Sequence, residues 1–166
     1  LYAVKYKNQY TGCWLSHGTD NIDYNGVKTT VTREPQYVEK YDLRYLSTNT
    51  LKQCTYPITT TVTQQDSNGK DTEVEITRNL VLTFDDAGNC TLSSNDADFL
   101  VTGTGKWTYH GAKKAWNDTD RDLIDLTYDA TFTYNYGAQA RYKKISTKES
   151  LIMRDRQSKY ETFNFK

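Results

Sequence analysis

Thr72-Glu-Val-Glu-Ile-Thr-Arg-Asn-Leu-Val-Leu-Thr-Phe84 is the stretch whose reading decides the fold. Its even positions run Val74, Ile76, Arg78, Leu80, Leu82, Phe84, and its odd positions are mostly polar: Glu73, Glu75, Thr77, Asn79, Val81, Thr83. Successive side chains of an extended strand point to opposite faces, so a period of two predicts a strand with one face packed and one wet. A second stretch repeats the pattern. From Asp122 to Tyr136, Ile124, Leu126, Tyr128, Ala130, Phe132, Tyr134 and Tyr136 alternate with Asp125, Thr127, Asp129, Thr131, Thr133 and Asn135. The three tyrosines share parity with Ile124 and Phe132, which assigns them to an interior or its mouth.

Weaker runs extend the same reading to both sides: Tyr10–His17, Val27–Thr32, Tyr37–Ser47, Gln53–Thr63, Asn89–Ser94, Leu100–Tyr109, Ala138–Met153 and Tyr160–Phe165. Asp66-Ser-Asn-Gly69, Asp85-Asp-Ala-Gly88 and Asn135-Tyr-Gly137 carry the Asn, Asp and Gly residues that hairpin turns use. Pro35 and Pro57 sit at strand beginnings or edges, where a missing N–H costs no ladder bond. No segment has a sustained period of 3.6, although Gly111–Asp120 has room for one short helical turn. Eight to ten long, hairpin-linked strands predict a closed antiparallel barrel, because closure removes the exposed edges that such strands would otherwise present.

The totals agree with one all-β domain. The chain has 166 residues, including 14 Tyr, 5 Phe and 3 Trp, aromatic content that suits strands and argues against disorder. Lys plus Arg equal Asp plus Glu at 21 each, which gives none of the basic excess that neutralises nucleic-acid phosphates. The densest basic cluster, Arg141, Lys143, Lys144 and Lys148, reads as a solvated strand face. No stretch approaches the roughly 20 apolar residues that cross a bilayer as a helix. Residues 1–9 lack the apolar region of a signal peptide and read as an extended segment, consistent with a linker from an upstream domain. Residues 10–166 form the barrel. Cys13, Cys54 and Cys90 are too scattered for a zinc site and leave open one disulfide with a free thiol, or three buried thiols.

Two short motifs bring in a resemblance. Gly12-x-Trp14 lies on the first strand, and Leu151-x-Met-Arg-Asp155 lies near the end. Together with His17-Gly-Thr-Asp20, Tyr37-Val-Glu-Lys40, Leu82-Thr-Phe-Asp85, Gly88-Asn-Cys-Thr91 and Gly105-Lys-Trp107, they resemble the lipocalin-like C-terminal domains of unknown function in Bacteroidota lipoproteins. Such domains follow a β-sandwich module in proteins encoded with surface glycan-utilisation systems. The resemblance implies a lipocalin or calycin fold in which Trp14 closes the barrel and Arg154 or Arg156 lies across its ring. It also implies export to the cell surface or periplasm through a lipid anchor outside this chain, and an upstream domain of the same protein as a partner.

Candidate chemistry is sparse. Ser16, His17 and Asp20 are neighbours in sequence, but adjacent strand residues face opposite ways, so they do not make a triad. Asp125 and Asp129 share a face about 13 Å apart, beyond the roughly 5–10 Å of a glycosidase pair. Asn117-Asp-Thr-Asp-Arg-Asp122 begins like a calcium loop, yet Leu123 and Asp129 stand where that loop needs Gly and Glu. The sequence therefore implies no enzyme, no metal and no cofactor. A glycan site remains. Trp116, beside Asn117, Asp118 and Asp120 and just after Tyr109 and His110, offers an aromatic platform with hydrogen-bonding neighbours. The expectation is a non-catalytic accessory domain contacting glycan there. The alternatives are a carrier holding a small amphipathic ligand inside the barrel and a structural or partner-docking module.

Overall fold

The computed structural model describes residues 6–157. Among them are nine strands: β1 (Gly12–Tyr24), β2 (Val27–Arg33), β3 (Asp42–Thr50), β4 (Gln53–Gln65), β5 (Asp71–Phe84), β6 (Asn89–Ser93), β7 (Phe99–Trp116), β8 (Thr119–Tyr136) and β9 (Gln139–Asp155). A single turn of 3₁₀-helix, Val38–Lys40, precedes β3. The strands form one sheet in the order β2-β1-β3-β4-β5-β6-β7-β8-β9, antiparallel throughout, and β1 also pairs with β9. That extra pairing closes the sheet into a ring. On its other edge β1 is shared: Gly12–Ser16 pair with β3, and Gly18–Tyr24 pair with β2.

The parity read from sequence decides what points inward. Ile124, Leu126, Tyr128, Ala130, Phe132 and Tyr134 of β8 are all buried. On β7 the inward positions include Gly103, where any Cβ would collide with Tyr128 and the backbone of β8. One end of the ring is packed with Trp14, Leu46, Cys54, Leu82, Phe84, Cys90, Leu126 and Met153. Tyr10 stacks on Phe84 there at 3.7 Å and meets Trp107 edge-on at 5.7 Å. The other end is plugged by Tyr24, Tyr134 and Lys143, whose ammonium lies over the Tyr24 ring at 4.7 Å.

Several expectations are corrected. Gly111–Asp120 holds no helix: β7 continues to Trp116, and Asn117-Asp118, both at φ 51°, make a two-residue hairpin turn into β8. A left-handed conformation at both central residues matches the twist of the flanking strands. β1 runs past His17 to Tyr24, where Asn25-Gly26 (φ 52° and 75°) makes the same kind of turn. Lys143 is not on a solvated face. It is buried, and its ammonium donates to the Thr61 carbonyl at 2.7 Å. Trp14 is fully buried and its indole N–H donates to the Tyr10 carbonyl at 3.0 Å, but neither arginine lies across its ring. Arg154 stands over Trp116 at 5.8 Å and Arg156 pairs with Asp122 at 2.8 Å. The reason is parity: Arg154 and Arg156 follow Met153, the inward residue that pairs with Trp14, and the outward turn of the chain carries their side chains to the β7–β8 hairpin.

The three cysteines are free, buried thiols. Asn8, in the segment read as a linker, is buried and donates to the carbonyls of Thr50 and Gln53. The run Tyr160–Phe165 lies outside the described residues.

Candidate functional site

The chemistry of this chain collects inside the ring, on inward positions that sequence parity alone does not mark as a site. Ser16 and Asp20 come from β1, Arg33 from the end of β2, Arg44 from β3, Tyr56 from β4, Tyr128 from β8, and Thr147 and Glu149 from β9. Glu149 is the hub and is 3% exposed. Its Oε2 accepts from Ser16 Oγ at 2.7 Å and from Arg33 Nη2 at 3.3 Å, and its Oε1 accepts from Tyr56 at 3.0 Å and Tyr128 at 3.1 Å. Arg33 also donates through Nε to Asp20 at 2.8 Å and through Nη1 to Ser16 at 2.9 Å, and Thr147 donates to Asp20 at 2.8 Å. Gly18 faces Glu149 across the β1–β9 ladder, where a Cβ would strike the Lys148 carbonyl and the Glu149 Cα. The absent side chain is what lets the two strands meet at the carboxylate.

A buried ion network survives only when its lone pairs and protons are matched. Here they are. Burial works against the Arg33 charge, yet its hydrogen bond to Asp20 and the field of Glu149 more than offset that, so the guanidinium is held even more firmly protonated than usual. Burial, reinforced by the Glu149 charge, pushes the Tyr56 and Tyr128 hydroxyls well above the usual tyrosine range. Both therefore remain hydrogen-bond donors.

Beside this network lies a cavity of about 310 Å³. One wall is charged, formed by Asp20, Arg33, Arg44 and Glu149; the other is apolar, with Ile58, Ala130, Phe132 and Ile145. Consecutive residues Leu43–Tyr45 and Tyr56–Thr59 all line it. Neighbours of opposite parity reach one cavity only at an open strand edge, so its mouth is a lateral split between β3 and β4. The ladder explains the split. β3 and β4 pair only through Ser47–Thr50 and Gln53–Thr55, after which β3 follows β1 and β4 keeps β5 alone. Pro57 shares the parity of Thr55 and has no N–H with which to continue the ladder.

The site expected at the β7–β8 hairpin is only partly assembled. Tyr109 is 66% exposed and stacks on His110 at 3.8 Å. With Asp120, Arg121 and Asp122 they border a depression of about 210 Å³. Asn117 and Asp118 form the turn itself, and Trp116 is half-buried with Arg154 over its ring. None of these three lines the depression. Asp120 is engaged by Lys113 Nζ at 2.9 Å and the Lys114 N–H, and the first of these bonds draws its carboxyl below the usual range. His17 faces outward onto Tyr41 and Glu34, away from Ser16. Asp125 and Asp129 face outward, bonded to Ser150 and Ser146.

Sequence reasoning missed Arg33, Arg44, Thr147 and Glu149 as a group. The available signal was β9 itself: its inward parity reads Lys143, Ile145, Thr147, Glu149, Leu151, Met153. Polar residues standing at core positions between apolar ones mark a functional interior, although they look like a weak strand.

An all-β sheet closed on itself around a cavity with one charged and one apolar wall is thus the class of this protein. Residues 9–157 match the family described as a domain of unknown function, DUF5627, and the chain belongs to that family. No curated protein matches the sequence. Among solved structures, the chain is similar to a structural-genomics protein of unknown function from Bacteroides ovatus, with 30% identity and a TM-score of 0.78. The match covers 95% of this chain and 46% of that one, so the chain spans about half the length of that protein. The Bacteroides neighbour agrees with the Bacteroidota resemblance of the motifs. Among the described residues, no helix is long and apolar enough to cross a membrane.

Proposed function

We propose that this chain is a non-catalytic binding domain that holds a small amphipathic molecule inside a lipocalin-like barrel. The observation that carries the reading is the cavity: about 310 Å³, one charged wall, one apolar wall and a lateral mouth. That volume stands at the lower end of the roughly 300–1,000 Å³ of small-molecule sites. The lipocalin-like description is supported by the up-and-down strand order of the ring and by the buried Trp14 at its packed end. The partial coverage of the Bacteroides ovatus protein supports a domain of a longer protein, and the motif resemblance supports an upstream domain as its covalent partner. The motif resemblance supports placing that protein at the cell surface or in the periplasm.

The test is a thermal-shift screen of small amphiphiles on the wild-type domain and on Ala130→Phe, which fills the cavity without altering charge. A ligand that stabilises the wild type and has no effect on the variant supports the reading. Equal binding to both forms would remove the cavity as the site. A second reading, glycan contact on the outer surface, is favoured by the exposed Tyr109–His110 stack beside Asp120. It predicts glycan-array binding that Tyr109→Ala abolishes and Ala130→Phe leaves intact.

A further inference from the structure

We infer that the cavity is built for an uncharged, hydroxyl-bearing ring of monosaccharide size, an inference that rests on the binding reading above. The first argument is charge. Every ionised group on the cavity wall already has its counter-ion: Arg33 with Asp20 at 2.8 Å and Glu149 at 3.3 Å, and Arg44 with Asp42 at 3.2 Å. Glu149 accepts from Ser16, Arg33, Tyr56 and Tyr128, which fills the lone-pair sites of a carboxylate. An anionic ligand entering this site would shed its water with no spare cation to meet it, and an ammonium would meet only carboxylates already held by Arg33.

What the wall still offers is directional bonding of both senses. Arg44 spends one bond from Nη1 on the Leu43 carbonyl and one from Nη2 on Asp42, leaving its other N–H groups to donate. Asp20 Oδ2 accepts from Arg33 Nε and retains a lone pair. A hydroxyl both donates and accepts, so two hydroxyls on one ring are able to meet Arg44 and Asp20 together. A carboxylate satisfies only the first and an ammonium only the second. The opposite wall of Ile58, Ala130, Phe132 and Ile145 matches the C–H face of a sugar ring, which is apolar although its rim is not. Size agrees: at about 310 Å³ the cavity has room for such a ring and little beyond it. The lateral mouth adds a consequence. Leu43 and Tyr45 on its lip are exposed, so the remainder of a longer glycan is free to leave sideways between β3 and β4.

The experiment is calorimetric titration of the domain with the methyl glycosides of glucose, galactose and mannose, with glucuronate and glucosamine as charged counterparts, and with octanoate and octylamine as charged amphiphiles. The expected result is binding of at least one methyl glycoside, at least tenfold weaker binding of its charged counterpart, and at least a tenfold loss in Arg44→Gln with the melting curve unchanged. Ala130→Phe abolishes the same binding. Octanoate or octylamine binding that Ala130→Phe removes, with no glycoside binding, overturns the uncharged-ligand inference and leaves the cavity reading standing. Glycoside binding that survives Arg44→Gln and Ala130→Phe but not Tyr109→Ala moves the site to the surface and overturns it too. No binding of any probe overturns both readings.

Discussion

The packed end of the ring and its middle are made by the same strands in the same parity, yet they are opposite environments. Around Trp14 the inward residues are Leu46, Leu82, Phe84, Leu126 and Met153, in contact with one another and closed to water. A few residues further along the same strands the inward positions hold Asp20, Arg44, Tyr56, Tyr128 and Glu149, around a cavity. The difference teaches where stability and function reside. Apolar burial stabilises in proportion to the area removed from water, whereas a buried ion network gains little net stability over a hydrophobic replacement. A fold that needed only a core would continue the first environment. The second is what a binding site requires, and the apolar end is what holds it in shape.

The strongest way to break this comparison is to remove the largest apolar plug. Trp14→Ala leaves a large void among residues that cannot collapse onto it, and should cost about 3–5 kcal/mol in denaturant unfolding. A loss below about 1 kcal/mol would mean that the ring closes without its packed end. Glu149→Ala strikes the other half. It leaves Arg33 with Asp20 alone and strips Tyr56 and Tyr128 of their acceptor, and should cost about 3 kcal/mol, the lower end for breaking a buried pair. If Glu149→Ala proved neutral, water would already serve those donors and the network would be looser than its geometry implies.

How much of this was legible depends on which face a strand uses. β5 and β8 were read from sequence because one parity is wholly apolar or aromatic over their inner half. β9 was read only as a weak strand, because Thr147 and Glu149 occupy inward positions and blur the alternation. The site was hidden for the same reason. Its residues are distant in sequence, and only closure of β1 onto β9 sets Ser16 and Asp20 beside Glu149. Trp116 stood out because an aromatic beside acids is conspicuous in a line of text. Its fate depended on Arg154, which the strand direction carries over its ring. Asn25-Gly26 and Asn117-Asp118 were local turn signals and were readable in principle. Their strands continue past the last strongly alternating residue, to Tyr24 and to Trp116, so the alternation alone does not lead up to either turn.

Alkaline titration sharpens the comparison, because each half holds protons the unfolded chain would release. Burial pushes the Cys90 thiol, in the apolar end, from its ordinary 9.0 up to about 12. The folded state therefore keeps this proton while the unfolded chain loses it. The associated stability is present below pH 9 and should drain away by roughly 1 kcal/mol per pH unit between about 9 and 12. Tyr56 and Tyr128, in the polar middle, are raised from 10.0 and contribute the same sign of loss at higher pH. Unfolding measured from pH 8 to 11 should decline from about pH 9 in the wild type. In Cys90→Val the decline should still begin near pH 9 but be shallower, because burial also raises the Cys54 thiol in the same apolar end. A decline as steep in the variant as in the wild type would show that the Cys90 proton contributes nothing to the loss.

The smallest effect is expected outside the ring, and it tests whether the contrast between the two interior halves is the one that matters. Trp116 sits at the end of β7, half-buried, with Arg154 over its face at 5.8 Å and the Asn117-Asp118 turn immediately after it. Nothing there is enclosed on all sides. A guanidinium over an exposed indole contributes about 0.5–1 kcal/mol, and the hairpin register is set by the turn rather than by the side chain. Trp116→Ala should therefore lower stability by less than about 1 kcal/mol and leave ligand binding in the cavity unchanged. A loss comparable with Trp14→Ala would make the hairpin tip a second packed region. The apolar end of the ring would then no longer be the sole anchor of the cavity.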